Sequence, residues 1–193
     1  MIVLGFTGTF AAGKDTVISI VASKFPNKSL EVSTSNLVRE ETAKRNLPLT
    51  RDNFFAVAND MRLRFGGGIF GQMTVDRIRE HPEKSVFLVS GIRSIGEVET
   101  LRQAFGKNFK LIAVDAPIEL RYKRIQARDR EGEHVLTFAE FKASQEKELK
   151  GEAHSQNISA VMKMADYTIQ NSGSAAELEE KVEEMLGKVV KLF

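Results

Sequence analysis

Gly8-Thr9-Phe10-Ala11-Ala12-Gly13-Lys14-Asp15-Thr16 is the stretch that decides how this chain of 193 residues is read. Before it runs Ile2–Phe6, short and apolar; after it, Asp15–Phe25 places Val17, Ile20, Val21 and Ala22 at helical spacing. Strand, glycine-bounded loop and helix in that order make a cradle for phosphate. A phosphate chain carries dense negative charge, and the loop meets it with backbone N–H groups. Gly8 and Gly13 let the backbone approach closely and take positive φ. Lys14 bridges the outer phosphates, and the following helix points its positive end inward. Gly8, Ala11, Ala12, Gly13, Lys14, Asp15 and Thr16 are therefore the expected nucleotide-phosphate ligands, with ATP as the nucleotide.

Outward from the loop, short runs rich in β-branched residues alternate with longer amphipathic ones. Leu30–Val32, Val86–Val89, Leu111–Val114 and Tyr167–Ile169 join Ile2–Phe6 as expected strands. Several are apolar on both faces, as strands covered by helices on each side must be. Helical spacing predicts helices over Asn53–Phe65, Ile69–Arg79, Gly96–Phe105, Ile118–Ala127, Thr137–Leu149 and Ala175–Leu192. The last carries Leu178, Val182, Met185, Leu186 and Val189 on one stripe. Such alternation predicts an α/β chain with a parallel sheet between helices. No repeat, low-complexity tract or linker divides residues 1–193, so one domain is expected. Gly66-Gly67-Gly68, between two helices, is either a hinge or a plain turn.

Composition narrows the chemistry. Lys and Arg number 28 against 26 acids, and a net charge of +2 gives no broad nucleic-acid footprint. There is no cysteine, which excludes disulfides, thiolate zinc sites and thiol catalysis. No apolar run approaches the roughly 18 residues of a membrane span. Met1–Phe6 has neither the basic leader nor the length of a signal peptide. A cytoplasmic domain without membrane or nucleic-acid partners is expected. Monomer and homodimer stay open.

The common motif has Ser or Thr directly after the lysine; here Asp15 intervenes and Thr16 follows. Asp15 either contacts magnesium through water or is a surface residue favoured at a helix start. The loop resembles that of adenylate kinases, which likewise carry a threonine two places after the lysine. The likeness recurs in order. Ser33-Thr34-Ser35-Asn36-Leu37-Val38-Arg39 is similar to that family's S-T-G-D-L-L-R, although Ser35 and Asn36 depart from it. Ser90-Gly91-Ile92-Arg93 is similar to D-G-F-P-R. Arg124-Ile125-Gln126-Ala127-Arg128 resembles the arginine pair of its lid. Ala165–Gly173 resembles the last strand and donor-base loop of dephospho-CoA kinases, which brings Asn171 to the nucleotide. The resemblance, to adenylate-kinase-related and dephospho-CoA-kinase-like P-loop proteins, covers nearly the whole chain. It implies a three-layer α/β/α fold with a five-stranded parallel sheet. It also implies a helical acceptor-binding insert near 34–80 and a short lid near 124–155. By the same resemblance Thr34, Arg39 and Arg93 hold a nucleotide acceptor, and Arg124 and Arg128 close on the transferring phosphate.

Physical reading of the remaining residues supports part of this. Phosphoryl transfer needs charge neutralisation and in-line positioning more than an acid or base. Arg124 and Arg128 share a helix face, and guanidinium forks grip phosphate oxygens; Arg121 and Arg130 stay open between site and surface. Ser90 stands where many P-loop enzymes place a magnesium-orienting aspartate. Asp15 and Asp115 are the candidate metal residues for Mg2+, Asp115 being alternatively a helix cap. Phe54, Phe55, Phe65 and Phe70 are expected in the core. His81, His134 and His154 share no metal-ligand spacing.

The expected function is a kinase moving the γ-phosphoryl of ATP to a small nucleotide-like acceptor, foremost a nucleoside monophosphate. Lys14, Arg93, Arg124 and Arg128 would act on the reacting groups. A dephospho-CoA acceptor presents a hydroxyl and needs a carboxylate base, which Ser90 does not supply. From another class, a regulatory protein that binds ATP and AMP with weak turnover also fits Ser90. No N-K-x-D motif supports a guanine-nucleotide switch.

Overall fold

The computed structural model describes residues 1–127, 137–149 and 157–190. Five strands form one sheet, all parallel: β1 (Ile2–Gly8), β2 (Ser29–Ser33), β3 (Val86–Ser90), β4 (Phe109–Asp115) and β5 (Tyr167–Gln170), in the order β2-β3-β1-β4-β5. Each expected strand is present, longer by one to three residues.

Side-chain alternation along β1 divides the core in two, as the period of two requires. Ile2, Leu4 and Phe6 face one layer, with Leu88, Ile112 and Val114 beside them. That face is covered by α1 (Lys14–Lys24) through Val17, Ile18 and Val21. It is closed by α9 (Ala175–Val189) through Leu178, Val182 and Met185. Val3, Val32, Phe87, Val89 and Leu111 face the other layer, against Val75, Ile78, Val98, Leu101 and Val161. Those last five come from α4 (Ile69–Arg79), α5 (Ile95–Phe105) and α8 (Ile158–Lys163). Helices on both faces of an all-parallel sheet explain why its inner strands read as nearly continuous apolar runs, whereas the outer β2 carries Glu31.

Between β2 and β3 the chain forms α2 (Thr34–Lys44), α3 (Arg51–Phe65) and α4, with a small core of their own made by Leu37, Val57, Ala58, Met61 and Phe70. Arg45, at the end of α2, bonds Glu41 at 2.9 Å and Asp60 of α3 at 2.7 Å. The guanidinium holds the Asp60 carboxyl below the ordinary carboxylate range. Of the four phenylalanines expected in the core, Phe70 is fully buried, whereas Phe55 and Phe65 are 46% and 57% exposed. The reason is geometric: α3 packs one side on α2 and α4, and its other side, with Phe55, Asn59, Leu63 and Phe65, is exposed. Gly67 and Gly68 make a tight junction with Gly96 as well as a turn. A Cβ at Gly68 would come within 3.0 Å of the Gly96 carbonyl, and one at Gly96 within 2.7 Å of the Gly67 backbone. Contact that close draws α4 onto α5.

After β4, α6 (Ile118–Gln126) and α7 (Phe138–Leu149) lie side by side, with Tyr122 edge-on to Phe138 at 5.3 Å. Arg128, Arg130, His134 and His154, with residues 128–136 and 150–155 of the expected lid, 124–155, lie outside the described residues. No helix among the described residues is long and apolar enough to cross a membrane.

Candidate active site

β1 is central, and the chain leaves it towards β2 on one side and returns over it from β3 to β4 on the other. Open parallel sheets bind ligands at such a switch point, beyond the carboxyl ends of the strands. The glycine-bounded loop follows β1 there. Gly8 has φ +149°, and a Cβ on it would overlap the Val114 carbonyl of β4. Gly13 caps α1 at φ 91° and ψ 24°, contributing no side-chain hydrogen bond; a Cβ there would overlap Asn171 Nδ2. Ala11 is also left-handed, at φ 62°. A non-glycine residue so placed costs energy, and such strain collects at ligand sites. The first amides of α1, which follows the loop directly, lack helical acceptors.

The loop is held from beneath. Thr9 Oγ1 donates to Asp115 Oδ1 at 2.7 Å, and the same oxygen accepts from Ala116 N–H at 2.9 Å. Asn171, 5% exposed, donates through Nδ2 to the Ala12 carbonyl at 2.8 Å, and its N–H donates to the Asp115 carbonyl at 2.7 Å. In the structure, then, Asp115 and Asn171 are braces of the cradle. Lys14 Nζ donates to Asp15 Oδ1 at 3.1 Å, with Asp15 exposed in the first turn of α1. Thr16 is exposed one residue further on.

A cleft of about 600 Å³ opens over the loop. Its lining joins Gly8, Lys14 and Asp15 to Ser33, Ser35, Asn36 and Arg39 at and after the end of β2, and to Ser90, Gly91 and Arg93 at and after the end of β3. Three segments remote in sequence thus meet at one strand edge. Arg39 lies 5.0 Å from the ring of Phe54, whose face holds the cation over α2 and α3. Thr34 sits beneath the wall: buried, it donates through Oγ1 to the Gly91 carbonyl at 2.7 Å. Ser90 ends β3 in register with Phe6 and Ser33, 6% exposed. The cleft also holds a carboxylate that sequence reasoning missed, Glu31 of β2. The strand pattern signals it, since it is a charge inside an otherwise apolar run.

Known proteins share this architecture. A family model described as an AAA domain matches residues 7–140, most of the chain, which carries that domain. A UPF0200/UPF0201 protein of Archaeoglobus fulgidus is 34% identical over 193 residues, covering 99% of this chain and 57% of that protein. A UPF0200 protein of Thermococcus onnurineus is 34% identical over 187 residues, covering 95% and 96%. The chain belongs to the UPF0200 family. It spans little more than half of the Archaeoglobus protein, whose name joins two families. Among solved structures, a shikimate kinase from Bacteroides thetaiotaomicron matches this UPF0200 chain with a TM-score of 0.61, covering 98% of each at 12% identity. A gluconokinase from Sinorhizobium meliloti matches with a TM-score of 0.52, covering 99% and 93% at 14% identity. Identities that low speak for the fold, which is that of P-loop kinases. They do not single out adenylate or dephospho-CoA kinases within it.

The arginines of α6 occupy unexpected places in the UPF0200 chain. Arg124 donates to the Ala12 carbonyl at 3.2 Å and to the Asn171 carbonyl at 3.0 Å, joining the phosphate loop to the loop after β5. Arg121, 5% exposed, donates to the carbonyls of Ala116 at 3.0 Å and Phe10 at 3.2 Å, and to Gln145 Oε1 at 2.6 Å. It is thereby a strut between the loop, α6 and α7. Arg121→Met should lower stability by about 2–3 kcal/mol, because buried carbonyls lose a charged donor. Urea unfolding measures this, and a change below about 0.5 kcal/mol would contradict the strut.

Proposed function

We propose that this protein is an ATP-dependent phosphotransferase whose acceptor is a nucleoside monophosphate. The observation that carries the reading is the shared cleft, in which the phosphate loop and Lys14 face the same space as Arg39 and Arg93. One set of groups suits a triphosphate, the other a second anion. In this reading Lys14 and the loop amides hold the donor phosphates. Arg39 and Arg93 hold the acceptor phosphate in line with them, Thr34 anchors the Gly91 turn behind it, and Arg124 and Arg128 serve the donor side and the lid. An acceptor phosphate oxygen bonds to the γ-phosphorus as the bond to the β-bridging oxygen breaks. No general base is needed, since that oxygen is already anionic. Magnesium takes most of its ligands from phosphate and water, so the exposed Asp15 carboxylate beside Lys14 and the Ser90 hydroxyl in the same cleft fit it. When bound, it neutralises charge between the phosphates.

A second reading has its own observation. Glu31 lines the same cleft, and a carboxylate there suits an acceptor hydroxyl, as in dephospho-CoA, whose proton it would take. ADP release from ATP and magnesium, measured against AMP, CMP, dCMP, GMP, UMP, dTMP and dephospho-CoA, separates the two. A nucleoside monophosphate is expected to stimulate release, with Glu31→Gln within about threefold of wild type. Stimulation by dephospho-CoA alone, lost in Glu31→Gln, would establish the second reading. Binding of ATP and AMP without stimulated release would make the protein a regulatory binder.

A further inference from the structure

Arg62 of α3 and Glu97 of α5 form a buried ion pair at 3.1 Å, with side chains 4% and 1% exposed. Burying two charges is costly and is weak evidence for stability, so the pair must be judged by what it fixes. Arginine and carboxylate ordinarily close as a two-pronged fork. Here the carboxylate is divided. Oε1 accepts Arg62 Nη2, while Oε2 accepts the N–H of Arg93 at 2.8 Å and of Ser94 at 3.3 Å. Arg62 Nε and Nη1 are buried with no hydrogen-bond partner among the described residues, and the guanidinium rests 5.0 Å from the Phe70 ring.

A local role for Glu97 accounts for half of this. With Ser94 it forms the capping box of α5, which uses Oε2. The bond through Oε1 is additional and reaches across 35 residues of chain. It is seconded by Ser94 Oγ, which donates to the Gly67 carbonyl at 2.7 Å. From the other side, Asn157 N–H donates to the Arg93 carbonyl at 2.9 Å. The Arg93 backbone is thus fixed at both its polar atoms, and one of the two fixings answers to α3.

We propose that Glu97 is a relay between α3 and the Arg93 turn, and that Arg62 is a positioning residue that sets Arg93 for an anionic group of the acceptor. The proposal rests on the reading of Arg93 as an acceptor ligand. Calorimetric binding of AMP and of a non-hydrolysable ATP analogue to wild type, Arg62→Met, Arg93→Met and the double variant tests it. Hydrogen exchange of the Arg93 and Ser94 amides is measured alongside. Each single variant is expected to weaken AMP about 10-fold, and the double no further than Arg93→Met alone, with ATP-analogue affinity held within about twofold. Exchange at Arg93 and Ser94 is expected to quicken about 10-fold in Arg62→Met relative to the phosphate loop. Removing Arg62 strands a buried carboxylate, so the paired variant Arg62→Met/Glu97→Gln replaces it if it does not fold, with the same expected losses.

Additive losses in the double variant, or a loss in Arg93→Met with none in Arg62→Met, overturn the relay. Equal loss of AMP and ATP-analogue binding in Arg62→Met overturns it too, as a mere stability effect. If AMP binds no form, or binds Arg93→Met as well as wild type, it is the acceptor reading that fails. The exchange rates then judge the relay alone: no quickening at Arg93 and Ser94 overturns it.

Discussion

Lys14→Ala should fold as the wild type does and turn over ATP roughly 10²- to 10³-fold more slowly, the usual loss when one preorganised group facing developing charge is removed. The side chain contributes little to the fold. It is 25% exposed, and its partner, Asp15, is 71% exposed at 3.1 Å. Exposed pairs are worth about 0–1 kcal/mol, so thermal unfolding should shift little. Its value lies in the cleft, where the ammonium can exchange one surface carboxylate for a triphosphate. The loss should fall on both binding and turnover, because the amides of the loop remain while the movable charge is gone. Steady-state kinetics with the best acceptor of the panel, beside an unfolding curve, separate the two effects. Near wild-type turnover in Lys14→Ala would mean that the cradle does not hold the transferring phosphates.

What the sequence made legible is what local chemistry dictates. Five runs became five strands because the inner ones, β1, β3 and β4, are covered by helices on both faces, while the outer two admit exposed polar residues, Glu31 in β2 and Thr168 and Gln170 in β5. The phosphate loop was readable because its glycines are demanded by backbone geometry, and those demands survive in a single chain. Ile69–Arg79 was placed to the residue by its apolar spacing. Helical spacing marked neither α2, which only the resemblance placed within a helical insert near 34–80, nor α8. In α2 the buried residues are Thr34, Leu37 and Thr42, two of them polar, so its inner face carries no apolar stripe. Six residues of α8 are too few to show a period.

The site was legible by segment and not by bond. Thr34, Arg39, Ser90 and Arg93 were picked out by resemblance, and the structure brings Arg39, Ser90 and Arg93 to one cleft with Thr34 beneath. The bracing of the loop by Arg121, Arg124, Asp115 and Asn171 was beyond reach. Each of those bonds ends on a backbone carbonyl or a distant side chain, and a carbonyl has no letter in the sequence. The same holds for Arg62 and Glu97, whose pairing across 35 residues no local pattern signals.

Gly8→Ala should be the most damaging single methyl in the chain, costing more than about 4 kcal/mol, the range reserved for overpacking against groups that cannot move. Two effects act together. The residue sits at φ +149°, which side-chain-bearing residues rarely adopt. The added Cβ also meets backbone, overlapping the Val114 carbonyl of β4, with the Val114 nitrogen 3.1 Å away. Gly8 pairs with Val114 in the β1–β4 ladder, so relief would require parting two central strands. At Gly13 the obstacle is different: a Cβ meets the side-chain amide of Asn171, which can rotate away at the cost of its bond to Ala12. Gly13→Ala should therefore fold but bind ATP weakly, whereas Gly8→Ala should lose the cooperative unfolding transition. Circular dichroism melts of the two variants test the distinction. A Gly8→Ala chain melting within a few degrees of wild type would mean that β1 and β4 do not approach as closely as the ladder places them.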